Sequence, residues 1–149
     1  AWSGLDPIMA AAEQDGAKLL YRNLDFNTYG ALNAREDFIE QSPELAQLVV
    51  DSYEKAREWA GDHPEETAEI LADVAGLEPK VASTVIEERS NLDVPATPGA
   101  DYTKVLGAIA PTLVASGDVS KQESVDEALA TIVDDQFASK ADASKISGE

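Results

Sequence analysis

The chain has 149 residues, of which 44% are apolar and 27% are charged. This composition is typical of a folded globular protein and not of a disordered chain. The 29 acidic residues outnumber the 11 basic ones and give a formal net charge of −18, so nucleic-acid phosphate and anionic lipid headgroups are repelled. We therefore expect no nucleic-acid partner, whereas a small anion can still bind at local backbone amides.

The chemistry that the sequence offers is sparse. Without cysteine the chain has no disulfide, no thiolate metal site and no cysteine nucleophile. Its one histidine, His63, lies at a predicted helix start, and one histidine alone cannot complete the usual zinc sites. The nucleophile-elbow, phosphate-loop and dinucleotide motifs are also missing. We expect a protein that is not an enzyme and that has no cofactor and no metal site.

Targeting signals are equally sparse. The longest apolar stretches are far too short to span a bilayer, so we expect no membrane insertion of this segment. The N-terminus lacks the charged and apolar regions of a signal peptide. The chain is therefore either cytosolic or part of a longer protein.

The first 41 residues have an α/β pattern. Asp6 and Pro7 can cap and start a short helix. Residues 17–21 are predicted to form a buried strand and residues 28–33 a second one. Because two strands make a marginal sheet at best, we expect further strands from chain outside this sequence.

From Ser42 onward the pattern is helical. Ser42 and Pro43 cap a helix that runs to Gly61, Pro64 opens one that ends before Gly76, and Pro79 starts a third. The first of these helices carries an apolar stripe that we expect to pack in the core. The stripe consists of Leu45, Leu48, Val49, Tyr53, Ala56 and Trp59.

The remaining third of the chain alternates irregular and helical segments. Residues 91–100 contain two prolines and are predicted to be an irregular link. Apolar spacing predicts a helix over residues 105–114, bent or shifted by Pro111, and a last helix over residues 125–137. The tail, residues 138–149, is predicted to be flexible.

The order of these segments resembles that of the aliphatic sulfonate-, nitrate- and taurine-binding proteins of ABC importers. Residues 1–8 (AWSGLDPI) resemble the stretch DAWAIWDPY of that family, and residues 27–38 (NTYGALNAREDF) resemble NYGFYLAREDF. Residues 42–59 and 62–68 are similar to its HPE…ADEWA and ANPEEAA stretches. The resemblance covers nearly the whole chain. Gly4 and Leu5 stand where the family often has Ile-Trp, which removes one aromatic side chain.

The resemblance implies the C-terminal part of a two-lobed type II periplasmic-binding fold of the α/β class, with few strands and about six helices. Residues 1–22 would complete the second lobe, 23–27 would cross the hinge, and 28–137 would return to the first lobe. The implied function is extracytoplasmic capture of a small anionic solute, such as an aliphatic sulfonate, by lobe closure. The implied partners are the upstream part of the same protein and an ABC permease. Its location would be periplasmic or at the cell surface, with a lipid anchor on the upstream part.

Four residues are candidates for the ligand site. The resemblance places Trp2 at a strand end facing the cleft, where an aromatic wall suits the apolar part of an organosulfonate; the alternative is a tryptophan packed in the core. Asn27, Thr28 and Tyr29 lie at the implied hinge and cleft edge and carry hydrogen-bonding side chains. Their alternative role is that of ordinary strand-edge residues.

Two other functions stay open from the sequence. The same fold could bind nitrate or a thiamine-precursor pyrimidine instead of a sulfonate. Alternatively, the chain could be an autonomous helical interaction domain without a small-molecule ligand, in which the first 40 residues only pad a bundle.

Overall fold

The structure, a computed structural model, describes residues 1–22 and 30–147, without the side chains of residues 100 and 101. Over these ranges it contains seven α-helices and no strand. The helices are α1 (Ile8–Gln14), α2 (Glu36–Gln41), α3 (Pro43–Asp62), α4 (Pro64–Ala75), α5 (Pro79–Ser83), α6 (Ala100–Ala115) and α7 (Gln122–Thr131). A π-helix, Thr84–Arg89, continues α5, and 3₁₀ turns occupy Ala138–Lys140 and Ala143–Lys145.

The prediction of a helix-rich chain after residue 42 is confirmed. Helices α3, α4 and α5 begin at Pro43, Pro64 and Pro79, where the missing proline N–H would have no intrahelical partner in any case. Helix α4 ends at Gly76, whose φ of 63° is left-handed. A glycine adopts this conformation without the steric penalty of a Cβ, which is why it stops the helix at this position.

The strands predicted in the first 41 residues are not formed in the described part of the chain. Residues 17–22 and 30–33 have irregular backbone, and positions 28 and 29 lie outside the described residues. The run at 17–21 is apolar enough for a strand, but a strand requires a hydrogen-bonded neighbour. Leu20 and Tyr21 are instead 83% and 73% exposed.

Two further elements differ from the prediction. The last helix ends at Thr131 and does not continue to residue 137. Beyond it, Oδ1 of Asp134 accepts a hydrogen bond from the backbone N–H of Gln136 at 2.9 Å, and this local bond competes with helix continuation. Helix α2, with Glu36 and Asp37 in its first turn, was not predicted, although acidic residues favour that end of a helix.

The chain divides into two compact units. The described part of the first comprises residues 1–22 and 55–94, and that of the second comprises residues 30–54 and 95–147. In the first unit α4 packs against α5 and the π-helix, and α1 packs against α5. In the second unit α6 packs against α7.

The C-terminal segment is tied to α3 within the second unit. The carboxylate of Asp51 accepts a hydrogen bond from the backbone N–H of Asp142 at 3.0 Å. The side chain of Gln47 donates to the carbonyl oxygen of Phe137 at 3.2 Å. The predicted flexibility of this tail stays a prediction, but its backbone has specific partners at these two points.

The buried core is made of small side chains. Among the described residues no large side chain is fully buried. The buried apolar residues are Ala10, Ala46, Ala68, Val81, Ala82, Ala110 and Val125. Alanine and valine let helices approach closely but remove little apolar area from water, and the hydrophobic contribution to stability scales with that area.

The α3 stripe predicted as core is mostly exposed. Tyr53 is 62% exposed, and Leu45 and Leu48 are each about half exposed. Trp59 is 37% exposed and stacks on the His63 ring, with ring centroids 4.7 Å apart. The prediction that this stripe packs inside is wrong for Tyr53 and the two leucines, because no described element covers them.

None of the helices in the described ranges combines the length and the apolarity that crossing a bilayer requires.

Candidate functional site

Trp2 lies at the surface and its ring folds back over the backbone of Gly4. The side chain is 62% exposed, so the alternative of a tryptophan packed in the core does not hold within this chain. A Cβ built on Gly4 would lie only 1.9 Å from Cη2 of Trp2. Because Gly4 has no Cβ, its backbone leaves room for the six-membered ring of the indole, and more than half of the side chain remains exposed.

The segment that carries Trp2 is anchored through Asp6. Its Oδ1 accepts a hydrogen bond from the backbone N–H of Ala10 at 3.1 Å, which satisfies one of the open amide groups at the start of α1. The same oxygen accepts a hydrogen bond from Nη1 of Arg89 at 2.8 Å. The sequence suggested Asp6 as a helix cap; the N-cap position is instead Pro7, and Asp6, one residue earlier, bonds the first turn of α1 through the Ala10 amide.

Arg89 also bonds the other end of α1. Its Nη2 donates to Oε2 of Glu13, and the Arg89 side chain is only 10% exposed. Hydrogen bonding to Glu13, and secondarily to Asp6, raises the pKa of Arg89 above its ordinary value against the opposing effect of burial. Arg89 thus carries its charge between two carboxylates that lie 83 and 76 positions away in the sequence.

Large apolar side chains are also exposed near Trp2 in the sequence. Leu5, Ile8 and Leu20 are 67%, 66% and 83% exposed. Single exposed apolar residues are ordinary, but several large ones in one short segment are typical of a surface that another protein surface covers. The other three candidates, Asn27, Thr28 and Tyr29, lie outside the described residues.

A cleft of about 330 Å³ lies elsewhere in the first unit. Its lining includes Arg57, whose Nη1 donates to the carbonyl oxygen of Leu92 at 2.6 Å. Glu58, Asp62 and Asp93 also line it. Three carboxylates around one arginine disfavour a small anion, so this cleft does not suit the ligand that the sequence suggests.

A buried carboxylate forms a separate polar cluster in the second unit. Asp51 is 2% exposed, and its Oδ1 accepts hydrogen bonds from Gln47 Nε2 at 2.8 Å and from the Asp142 backbone. Nζ of Lys145 lies 4.0 Å from Oδ2. These contacts join α3 to the C-terminal turns, and we therefore assign the cluster a structural role.

Trp2 as a ligand contact stays a prediction of the sequence, which did not indicate the approach of its ring to Gly4 or the contacts of Arg89 and Asp51. The Arg89 contacts join positions that are distant in sequence, and no local pattern indicates them. For Asp51 a signal was present, since Gln47 and Asp51 are four residues apart on a predicted helix and thus on the same face.

Comparison of the chain with protein-family models, with curated proteins and with solved structures found no match.

Proposed function

We propose that this chain is the closing part of the extracytoplasmic solute-binding component of an ABC importer, and that it captures a small anionic solute such as an aliphatic sulfonate. The observation that carries the proposal is the placement of Trp2. Its side chain is 62% exposed, lies close to the backbone of Gly4, and belongs to a segment anchored by Asp6.

The role of Trp2 follows from the chemistry of the solute. An aliphatic sulfonate has an apolar chain and an anionic head. An accessible indole face covers the apolar chain, because burying apolar area is favourable wherever both surfaces leave water. The charged head requires N–H or O–H donors, and we assign those to the upstream part of the protein together with Asn27, Thr28 and Tyr29 at the cleft edge. No chemical step is involved, and closure of the lobes follows from ligand contacts with both.

The need for an upstream part is supported by the distribution of apolar side chains. The core consists of alanine and valine, while Leu5, Ile8, Leu20 and Tyr21 are more than 60% exposed. In a chain that packs against an upstream part, such side chains would form the contact between the two. The resemblance implies residues 1–22 in the second lobe, 23–27 at the hinge and 28–137 in the first lobe; this division stays a prediction and does not coincide with the two units, one of which joins residues 1–22 to residues 55–94. The strands of the α/β fold would then form on pairing with upstream strands.

The test is ligand binding by the complete protein, measured by calorimetry with ethanesulfonate. We expect binding, and we expect Trp2→Ala to weaken it about tenfold, since an aromatic contact of this kind contributes about 1.4 kcal/mol. Trp59→Phe is the matched control, because Trp59 stacks on His63 away from the Trp2 segment in sequence, and it should leave affinity unchanged. If the Trp2→Ala and parent proteins bind ethanesulfonate equally well, Trp2 is not part of the ligand site.

The same experiment addresses the alternative ligands. Nitrate has no apolar part to cover an indole, whereas a thiamine-precursor pyrimidine stacks on one. Tight binding of nitrate that does not depend on Trp2 would favour the first alternative, and tight binding of a pyrimidine would favour the second.

A second function, that of an autonomous helical interaction domain, is favoured by one observation. The described residues contain helices and no strand, as expected for a helical module without a sheet. Thermal unfolding of residues 1–149 alone separates the two functions. A cooperative, monodisperse transition favours the autonomous domain, and a molten or aggregated chain favours the closing part of a larger fold.

A further inference from the structure

Arg89 is placed so that one guanidinium fixes both ends of α1. Nη1 bonds Asp6, which precedes the helix, and Nη2 bonds Glu13 in its last turn. Paired hydrogen bonds from one guanidinium restrict orientation as well as distance. The side chain is 10% exposed, so water competes little for these bonds. Arg89 therefore restrains the orientation of α1 relative to the π-helix, in addition to the packing of α1 against α5.

This restraint extends to Trp2 through a short path. Asp6 Oδ1 accepts hydrogen bonds from both Arg89 and the Ala10 amide, so the carboxylate that bonds the first turn of α1 is also the one that the arginine holds. Trp2 lies four residues before Asp6, and its ring folds back over Gly4 instead of extending away. Little free chain separates the anchored carboxylate from the indole.

The π-helix places Arg89 where it can make both contacts. The turns of Thr84–Arg89 are wider than α-helical turns, and each extra residue taken up rotates the following side chains by about 100° relative to a regular helix. If the α-helix that begins at Pro79 continued with regular spacing to residue 89, the side chain at position 89 would point in a different direction. Helical periodicity alone therefore could not have identified this residue.

We propose that Arg89 is a positioning residue for the ligand site: through Asp6 and Glu13 it holds α1 and so fixes the ligand-facing placement of Trp2. The part of this inference that concerns ligand binding rests on the proposed function. The part that concerns the placement of Trp2 rests on geometry alone. The two parts are tested separately.

The placement is tested by fluorine NMR of the complete protein labelled with fluorotryptophan, with the Trp2 and Trp59 resonances assigned through Trp2→Phe and Trp59→Phe. We expect Arg89→Gln to shift or broaden the Trp2 resonance and to leave that of Trp59 unchanged. Arg35→Gln is the matched control, because Arg35 forms an exposed ion pair with Asp37, and it should move neither resonance. An unchanged Trp2 resonance in Arg89→Gln, or equal changes in both tryptophans, would overturn the proposal.

The effect on binding is tested with ethanesulfonate in a double-mutant cycle. We expect Arg89→Gln to lower the affinity about tenfold in the parent protein and to have no further effect when Trp2 is already alanine. Arg89→Lys keeps the charge but not the paired geometry, so it should give an intermediate affinity. Loss of affinity by Arg89→Gln that is equally large in the Trp2→Ala background would overturn the positioning role. If no solute binds at all, the proposed function fails, while the NMR result still decides the placement.

Discussion

Gly4 is the residue on which the placement of Trp2 depends most directly. Alanine at this position would bring a Cβ to within 1.9 Å of the Trp2 ring, which is well inside any carbon–carbon contact, so the ring must move. We predict that Gly4→Ala shifts the fluorine resonance of Trp2 and lowers ethanesulfonate affinity to the level of Trp2→Ala. Calorimetry and NMR on the same sample check both parts.

Gly107 provides the control for this substitution. It lies within α6, and a Cβ added to it would meet nothing within 4 Å. Gly107→Ala should raise the free energy of unfolding by about 0.5–1 kcal/mol, because alanine is the better helix former. It should leave the Trp2 resonance in place. A Gly4→Ala protein in which the Trp2 resonance does not move would show that the indole lies elsewhere in solution.

Asp51 offers a second residue-scale prediction, since it is a buried acceptor in the second unit. Asp51→Ala leaves the Asp142 amide and the Gln47 side chain without this partner. A buried group left unsatisfied costs about 1–3 kcal/mol, and we predict a loss of that size in the free energy of unfolding, measured with urea.

The matched control for Asp51 is Asp126 on α7. It accepts a hydrogen bond from Gln122, four residues earlier, at the same 2.8 Å distance, but the pair is exposed. Asp126→Ala should change the free energy of unfolding by less than about 0.5 kcal/mol. If the two variants lose similar amounts of unfolding free energy, the contacts of Asp51 with the C-terminal turns add no stability beyond that of the Gln47–Asp51 pair within α3.

At the scale of the elements, helix ends were predictable and tertiary contacts were not. Pro43, Pro64 and Gly76 act through their own backbone restrictions, which hold in any context. The run at 17–21 shows the opposite case, because an apolar pentapeptide becomes a strand only if a neighbour pairs with it. The sequence left Trp2 open between a cleft-facing and a core position; its side chain is exposed, and its role in a ligand site stays a prediction. Arg89 was not predictable, because it meets Asp6 across 83 positions.

The 3₁₀ turn Ala143–Lys145 gives a pH-dependent prediction. Oδ1 of Asp142 accepts hydrogen bonds from the hydroxyl and the backbone N–H of Ser144 at 2.6 and 3.0 Å. These bonds lower the pKa of Asp142 below its ordinary value of 3.8, and the charge of Lys145 adds to the effect. Because the folded pKa is the lower one, the stabilisation is complete above the unfolded value and is lost as the pH falls through the folded value.

We therefore expect the turn to be unchanged from neutral pH down to about the unfolded pKa and to loosen at lower pH. The chemical shift and hydrogen exchange of the Ser144 amide report this directly. Asp142→Asn keeps an oxygen acceptor without the titration, so its Ser144 amide should lack the acidic transition. A transition of equal size in that variant would show that the Asp142 carboxylate is not its source.

At the scale of the whole molecule, net charge and exposed apolar surface have opposite effects on the association of copies of the chain. The net charge of −18 makes copies of the chain repel one another, which favours solubility. Yet helix α6 has no charged residue from Val105 to Ser116, and its Val105, Ile109 and Leu113 side chains, spaced at i, i+4 and i+8, are 37%, 49% and 38% exposed. Their neighbours Leu106, Ala110 and Val114 are less exposed, consistent with the packing of α6 on α7. Val105, Ile109 and Leu113 thus form an exposed apolar surface, the α6 stripe, and we expect charge repulsion to limit its association with other copies of the chain.

Salt should reveal this balance in the isolated chain. Raising the ionic strength from about 0.15 M to 1 M shortens the Debye length from about 8 Å to 3 Å, which screens the repulsion without weakening apolar contacts. We predict that residues 1–149 alone associate as salt is raised, measured by light scattering at fixed protein concentration. Ile109→Gln combined with Leu113→Gln should reduce the association, whereas Gly107→Ala on the same helix should not. In the proposed complete protein, an upstream part that covers the α6 stripe would remove the effect of salt. Association of the complete protein under the same conditions would mean that the α6 stripe stays open there, and that its partner is not the upstream part.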